Sequence, residues 1–594
     1  MYLKELKLWN FRKYGSLESF DIDKPNLTVP FTKGLNVLIG ENDSGKTAIL
    51  DAIKLVLKTH AYEWLKIEDT DFYDNSTTLR VELEFRGIET NEAKNFIEWL
   101  GWTKEVIDGK EVDVSILKLI YQVEKRNGKL IPADVKAGMD GVGYPLNAEA
   151  RDYLKTTYLK ALRDADNDLT AKKNSRLSQI LQEHKFFKKK NEGEAEENLP
   201  FVKEFIQLNK NIEDWFKDDT IKEGTTESVK SEIKGKIDSF LQNFITKEIE
   251  SKFSLGNPEI KNILEKISLG INNHFNLGLG TMNRLYMAAE LLHLKKEWNG
   301  LKLCMIEELE AHLHSQAQMK IIEALQKETG VQFILTTHSP NLASKVPLKN
   351  LILCKDNNVF PLGESYTQLK KESYSYLERF LDVTKSNLFF AKGVIIVEGW
   401  SEEILIPELA KKLGYNLTEK EISIVNVGST AYLHFAKIFL RNDNGNIGVP
   451  VSIITDLDNR PDKQGVFVDS EKITAKRKAI KLFHKSLEKT PIKLFVAEEW
   501  TLEWCLYKSP SLSEHFKASV SKTHSKTKEF KGINFDEALF ISKLSKESGT
   551  SPLDKVLIAN KLADKIKIEN ITFHSTDKYL KYLIDAIKHA CNEN

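Results

Sequence analysis

The sequence predicts an α/β protein with more than one parallel sheet, and three observations carry that reading. Short apolar runs recur: Gly34-Leu35-Asn36-Val37-Leu38-Ile39, Leu301-Lys302-Leu303-Cys304-Met305-Ile306, Val331-Gln332-Phe333-Ile334-Leu335, Gly393-Val394-Ile395-Ile396-Val397 and Val451-Ser452-Ile453-Ile454-Thr455. Strands buried on both faces have this composition. Helical periodicity separates the runs in a βαβ rhythm. Glycines or acidic residues follow directly on several of them, where open α/β sheets place their sites.

The 594 residues would fill three or four domains at roughly 150 residues each. A hydrophobic fraction of 41% and a charged fraction of 29% are ordinary for a soluble globular chain. Lys plus Arg equals Asp plus Glu at 86 each, which neither requires nor excludes nucleic acid, because phosphate binding needs only a local basic face. Cys304, Cys354, Cys505 and Cys591 form no CxxC pair, so neither a disulfide framework nor a zinc site is expected. The charged start, Met1 to Tyr14, has no apolar core like that of a signal peptide. No apolar run is long enough to span a bilayer. A cytoplasmic protein with no membrane partner is expected.

The chain begins with strand-like alternation at Tyr2 to Leu8, and residues 78–122 are strand-rich, most clearly at Leu79 to Phe85. From about Asn147 to Lys266 charge crowds in, and apolar residues recur at helical spacing (Val202, Phe205, Ile206, Ile212, Phe216). This stretch reads as a helical insertion. Within it, the basic-then-acidic run Lys188 to Glu197 is expected as a solvated loop or helix tip.

Gly40-Glu41-Asn42-Asp43-Ser44-Gly45-Lys46-Thr47 fits G-x-x-x-x-G-K-[ST] completely, and it lies between an apolar strand and a helical run. The glycines let backbone N–H groups close around phosphates at a helix N-terminus. Lys46 would reach the β- and γ-phosphates of ATP, and Thr47 would hold Mg²⁺. The apolar run ending at Ile306 then delivers Glu307-Glu308: Glu307 for the Mg²⁺ shell, Glu308 to orient the attacking water. His338, at the end of the next strand, can hydrogen-bond the γ-phosphate. Gly278 and Gly280 form a small-residue turn before a helical run from Leu285, a place where backbone can contact phosphate.

A second site follows. Strand Val394 to Val397 ends in Glu398-Gly399, and Glu402 is one helical turn on, so both can face one space. Strand Val451 to Thr455 ends in Asp456-Leu457-Asp458, whose two aspartates share one face of an extended chain. Such hard oxygen ligands suit Mg²⁺ or Mn²⁺. The E-G…D-x-D pair is the pattern of TOPRIM domains, which also serve topoisomerases and primases. Among 17 tyrosines none stands out as a topoisomerase nucleophile, and no primase context is visible.

Glu307-Glu308-Leu309-Glu310-Ala311-His312-Leu313-His314 and Thr337-His338-Ser339-Pro340 resemble the E-E-P-E-A-H-L-H and T-H-S-P runs of the OLD (overcoming lysogenization defect) nucleases, which join an ABC-type ATPase domain to a TOPRIM domain. Val397 to Glu402 is similar to the OLD form of the TOPRIM motif. Thr501-Leu502-Glu503-Trp504 resembles that family's T-L-E-aromatic segment, and Lys555-Val556-Leu557-Ile558-Ala559 its K-x-x-F-A segment, with Ile558 in place of Phe. The resemblance implies that Glu503 ligates a second metal ion and that Lys555 neutralises charge building on a scissile phosphate. For both, core or surface roles stay open. Leu309 replaces the family's proline, and Leu277 to Thr281 lacks the LSGGQ form while resembling OLD-type G-x-G signatures. Since such a loop completes the ATP site of a second subunit, the resemblance implies a homodimer or higher homo-oligomer.

The expected architecture is an ABC-type P-loop ATPase domain (1–146 and 267–385) interrupted by a helical, dimer-forming insertion (147–266), then a TOPRIM domain (386–594). The expected function is metal-dependent DNA cleavage or nicking under ATP control. The resemblance implies anti-phage defence, beside partners such as a helicase or a retron reverse transcriptase with its DNA. The alternatives are an ATP-gated DNA repair or clamp protein without nuclease activity, and an RNA-processing TOPRIM nuclease. Two basic segments, Lys472 to Lys478 and Ser521 to Lys531, are equally readable as phosphate contacts or solvated faces.

Overall fold

The computed structural model describes the chain except for residues 61–65, 108, 162–167, 189–194, 222–223, 225, 245–249, 273–276, 295–299, 429–430, 444, 463, 469, 532–534, 549, 570, 575 and 594. The middle of the charged run from Lys188 to Glu197 lies outside the described residues.

The apolar runs form the strands of two sheets. The first contains β1 (Leu35–Ile39), β2 (Thr157–Leu159), β3 (Leu303–Ile306), β4 (Gln332–Thr337), β5 (Leu351–Lys355) and β6 (Asn358–Pro361), in the order β2-β3-β4-β1-β5-β6. All neighbours are parallel except the β5–β6 hairpin. Helix α1 (Lys46–Leu57) follows β1. Alternate residues of β1 serve different cores: Val37 and Ile39 face one, Leu38 the other. The Leu38 core also takes Ile49, Leu50 and Ile53 of α1 and the inner face of an antiparallel sheet whose longest strands are Tyr2–Trp9, Thr78–Arg86 and Lys110–Arg126.

The second sheet contains β7 (Gly393–Val397), β8 (Ile422–Asn426), β9 (Val451–Thr455) and β10 (Ile492–Val496), all parallel, in the order β8-β7-β9-β10. Val394 and Ile396 face a core that runs on, through Leu377, Leu388 and Phe389, into that of the first sheet. Ile395 and Val397 face a helical layer containing Trp504, Ile558, Leu562 and Leu583. The two parallel sheets therefore share one hydrophobic core instead of being joined by a loose linker.

The stretch read as an insertion is divided. Thr157–Leu159 pairs with β3, and α2 (Arg176–Gln182) puts Leu177 and Ile180 into the shared core. Arg176 makes a buried bidentate ion pair with Glu290 of α3 (Leu279–Leu294), at 2.6 and 2.8 Å. Beyond Gln182 a separate small cluster, Leu199, Val202, Phe205 and Ile263, packs by itself. Charge density hid β2 because only three of its residues enter the sheet. No helix among the described residues is long and apolar enough to cross a membrane.

Candidate active sites

The Gly40–Thr47 loop closes over the end of β1. Gly40 and Gly45 have φ of 145° and 95°. A Cβ at Gly40 would meet the Cys354 carbonyl oxygen at 2.3 Å, and one at Gly45 the Tyr14 hydroxyl at 2.0 Å, so both positions need glycine. Asp43 is also left-handed, at φ 58°. Lys46 is buried and donates to the carbonyls of Gly40 (2.9 Å) and Glu41 (2.6 Å) and to Ser44 Oγ (2.9 Å). Burial lowers its pKa, against the pull of Glu310, Glu308 and Asp43. An arriving phosphate would replace those carbonyls as its partner.

Thr47 Oγ1 donates to Glu307 Oε1 at 2.7 Å, so the two residues expected to share a cation are in contact across 260 residues of sequence. Tyr158 of β2 donates to the other oxygen of Glu307 at 2.5 Å. Glu308 takes a left-handed φ of 43°, and its carboxylate is 3.6 Å from His338 Nε2, while His338 Nδ1 is 3.1 Å from the Gly40 carbonyl. Glu310 accepts from the His338 N–H at 2.6 Å and from Thr337 Oγ1 at 2.8 Å, fixing the strand end that carries the histidine. Lys46, Thr47, Glu308 and His338 border a cavity of about 790 Å³ lined also by Arg12, Lys13, Asn42 and Ala48.

Gly278 and Gly280 do not line that cavity. The helix expected from Leu285 begins at Leu279, so Gly280 lies in its first turn and not in a preceding loop. A Cβ there would come within 2.6 Å of the His312 carbonyl oxygen, so close packing on the Glu307–His314 segment calls for glycine at this position. Tyr158, Glu310, Arg12 and Lys13 were not picked out from sequence as site residues. Left-handed φ values of 51° and 50° at Asn10 and Arg12 break the opening strand's alternation and turn that chain toward the loop, where Lys13 donates to the Asp43 carbonyl at 2.6 Å.

The acidic site lies at the carboxyl ends of β7 and β9. Glu398 directly follows β7 and accepts from Thr455 Oγ1. Glu402 lies in the first turn of α4 (Trp400–Lys412). Asp456 follows β9; beyond α5 (Glu471–Leu487), α6 (Leu502–Lys508) donates its Leu502 N–H to Asp456 Oδ1 at 3.0 Å. Glu503, the second residue of α6, accepts from Lys555 Nζ at 2.8 Å and from Ser401 Oγ at 3.4 Å. Lys555 opens α7 (Lys555–Ile568), which packs on α4. The structure thus gathers Glu398, Glu402, Asp456, Glu503 and Lys555 from four separate elements and the end of β7.

Electrostatics define this gathering. Burial, then the nearby Glu503, pushes Glu402 up to about 7. Burial, then Glu402 and Glu503, raises Asp456 well above the usual carboxylate range. Glu398 is raised by burial despite its bond from Thr455. Burial alone would lower Lys555, but Glu503, Asp456 and Glu402 outweigh it and raise its pKa. Among the described residues no three Asp, Glu, His or Cys side chains converge on one point, since Glu398, Asp456, Asp458 and Glu503 each turn to a protein donor. The donor set nevertheless fits a hard divalent cation: oxygen ligands only, held in mutual repulsion that a cation would relieve.

Without divalent ions, stability is expected to fall as pH rises. The folded state holds protons on Glu402 and Asp456 over a range where the unfolded chain has released them, so stability is lost from Glu402's ordinary 4.5 up to about 7. Thermal unfolding in EDTA should give a lower Tm at pH 8 than at pH 5.5, and Glu402→Gln should narrow the gap. An unchanged gap in the variant would count against the buried cluster.

A phosphate-binding loop on one parallel sheet, core-linked to an acidic site on another, defines an ATPase fused to a TOPRIM domain. Residues 1–343, more than half the chain, match the family model described as AAA ATPase domain, and the chain belongs to that family. Residues 389–458 match the TOPRIM domain of overcoming lysogenization defect protein-like chains. The chain is homologous to Endonuclease GajA of Bacillus cereus (strain HuB5-5), 22% identical over 94% of this chain and 89% of that one. It is also homologous to the OLD nuclease of Thermus scotoductus, 22% identical over 72% of this chain and 78% of that one. Among solved structures, the C-terminal region of the Xanthomonas campestris OLD protein is matched over 35% of this chain and 96% of that chain, at 22% identity and a TM-score of 0.23.

Proposed function

We propose that this chain is a divalent-metal-dependent endonuclease that cuts or nicks DNA under ATP control, in anti-phage defence. The buried carboxylate set at the ends of β7 and β9 carries this reading, because a clamp or scaffold has no use for mutually repelling buried acids. The homologous proteins are named endonuclease and nuclease, which favours cleavage over a non-cutting clamp.

Glu398, Glu402, Asp456, Asp458 and Glu503 would hold the ions, Mg²⁺ or Mn²⁺. Bound there, they supply Lewis acidity for an in-line displacement at phosphorus. Lys555, held against Glu503, offers its ammonium to charge building on the phosphate. At the other site Lys46 and the Gly40–Thr47 amides would cradle the ATP phosphates, Thr47 and Glu307 would hold Mg²⁺, Glu308 would orient water, and His338 would read the γ-phosphate. Gly278 and Gly280 would serve a second subunit's nucleotide. The exposed aromatics Phe240 and Phe244 in the helical region support its role in assembly. A cavity of about 540 Å³ is lined by Asn42 and Asp43 of the loop and by Phe389, Lys392 and Gly448 beside the acidic sheet, and would let nucleotide at the loop act on that sheet.

The test is supercoiled plasmid incubated with the full chain and Mg²⁺ or Mn²⁺, with and without ATP, beside a matched RNA. Nicked or linear DNA that requires the divalent ion supports the reading, and the two ATP arms give the sign of control. Cleavage of RNA alone, or binding of DNA without cleavage, would overturn it.

A further inference from the structure

Helix α5 is rich in lysine, yet one lysine differs from the rest. Ile473, Ile480, Phe483 and Leu487 form the stripe that faces the protein. Lys476 falls on that stripe, between Ile473 and Ile480, where helical periodicity would place an apolar side chain. Lys472, Lys478, Lys481 and Lys485 are exposed. Lys476 Nζ reaches inward, donating to Asp458 Oδ2 at 2.6 Å and to the Asp456 carbonyl at 2.8 Å. Its ammonium thereby clips the Asp456–Asp458 turn, in which Asp458 is held at a left-handed φ of 60°. The Asp458 side chain is 56% exposed, and an ion pair at such a position adds little to stability. The interruption of an apolar stripe by a charge is therefore better explained by the turn it holds.

We infer that Lys476 is a positioning residue of the acidic site: it acts as the resident cation of Asp458, keeps the turn in shape, and yields that carboxylate when a divalent ion binds. This rests on the metal-dependent reading of the site given above. The ion and the ammonium compete for the same oxygen, so removing the ammonium has two linked consequences. The turn loses its clip in the absence of metal, and the ion meets no competitor.

The test is Mn²⁺ titration by calorimetry on the nucleotide-free full chain, with thermal unfolding in EDTA and in Mn²⁺. Lys476→Met, and Lys476→Gln as a second neutral variant, should bind Mn²⁺ several-fold more tightly than wild type. Their Tm should change little in EDTA and rise further than the wild type's in Mn²⁺. Lys476→Arg, and Lys478→Met on the exposed face, should behave as wild type. Unchanged or weaker Mn²⁺ affinity in both neutral variants, or a Tm loss equal with and without Mn²⁺, overturns the inference while leaving the metal site intact. Wild-type Mn²⁺ binding that is indifferent to Asp456→Asn overturns the metal site itself, and the inference with it.

Discussion

Asp456→Asn is expected to reduce DNA cleavage on the order of 10³-fold, with folding preserved. The asparagine keeps the volume and the Oδ1 that accepts the Leu502 N–H, so the junction of β9 with α6 keeps its hydrogen bond. What disappears is the charge. Asp456 is buried among Glu402, Glu503 and Glu398, each of which raises its pKa. Removing one negative charge from that group relieves repulsion in the metal-free protein, so the Tm in EDTA at pH 8 should hold or rise. In Mn²⁺ the variant should lose both the cleavage and the metal-induced gain in Tm. Plasmid nicking and thermal unfolding measured side by side decide the matter. Near-wild-type cutting would remove Asp456 from the metal site, and a collapse of Tm in EDTA would show that its charge is structural.

Lys46→Ala is expected to lower ATP hydrolysis by about 10²–10³-fold and to leave Mn²⁺ binding at the acidic site unchanged. Lys46 is bonded to two loop carbonyls and Ser44 in the nucleotide-free protein, and its ammonium lies within the loop that would cradle phosphates. Alanine removes that charge and leaves Thr47 on Glu307. The acidic site is built from β7, β9, α4, α6 and α7, none of which contacts the Lys46 side chain. Phosphate release and Mn²⁺ calorimetry on the same preparation test both halves. Loss of Asp456-dependent metal binding in Lys46→Ala would show that the two sites are one cooperative unit, and undiminished ATP turnover would remove Lys46 from the chemistry.

Much of this was legible from the sequence because the signals are local. Gly40 to Thr47 declares itself through glycines that a tight loop demands, and Glu307, Glu398 and Asp456 through acids placed just past apolar runs. Other parts were illegible for definite reasons. β2 lies within a charge-dense stretch and contributes only Thr157 to Leu159, too few residues for a periodicity to register. Tyr158, which steadies Glu307, was hidden with it. Glu310 looked like part of a motif, but its work of holding Thr337 and His338 depends on a strand pair that forms across 27 residues. Lys476 read as one lysine among several in a basic segment, since only the helix orientation separates it from Lys472 and Lys478.

The sequence by itself determined two α/β units and the identity of the groups that end their strands, because backbone geometry and burial of both strand faces are written in neighbouring residues. Tertiary structure alone decided that the two sheets share one core through Leu377, Leu388 and Phe389. It alone decided that Glu402 and Asp456 are buried together and lifted from the usual carboxylate range. The physical reason is that desolvation and repulsion depend on which side chains arrive from distant parts of the chain, and no local pattern encodes that distance.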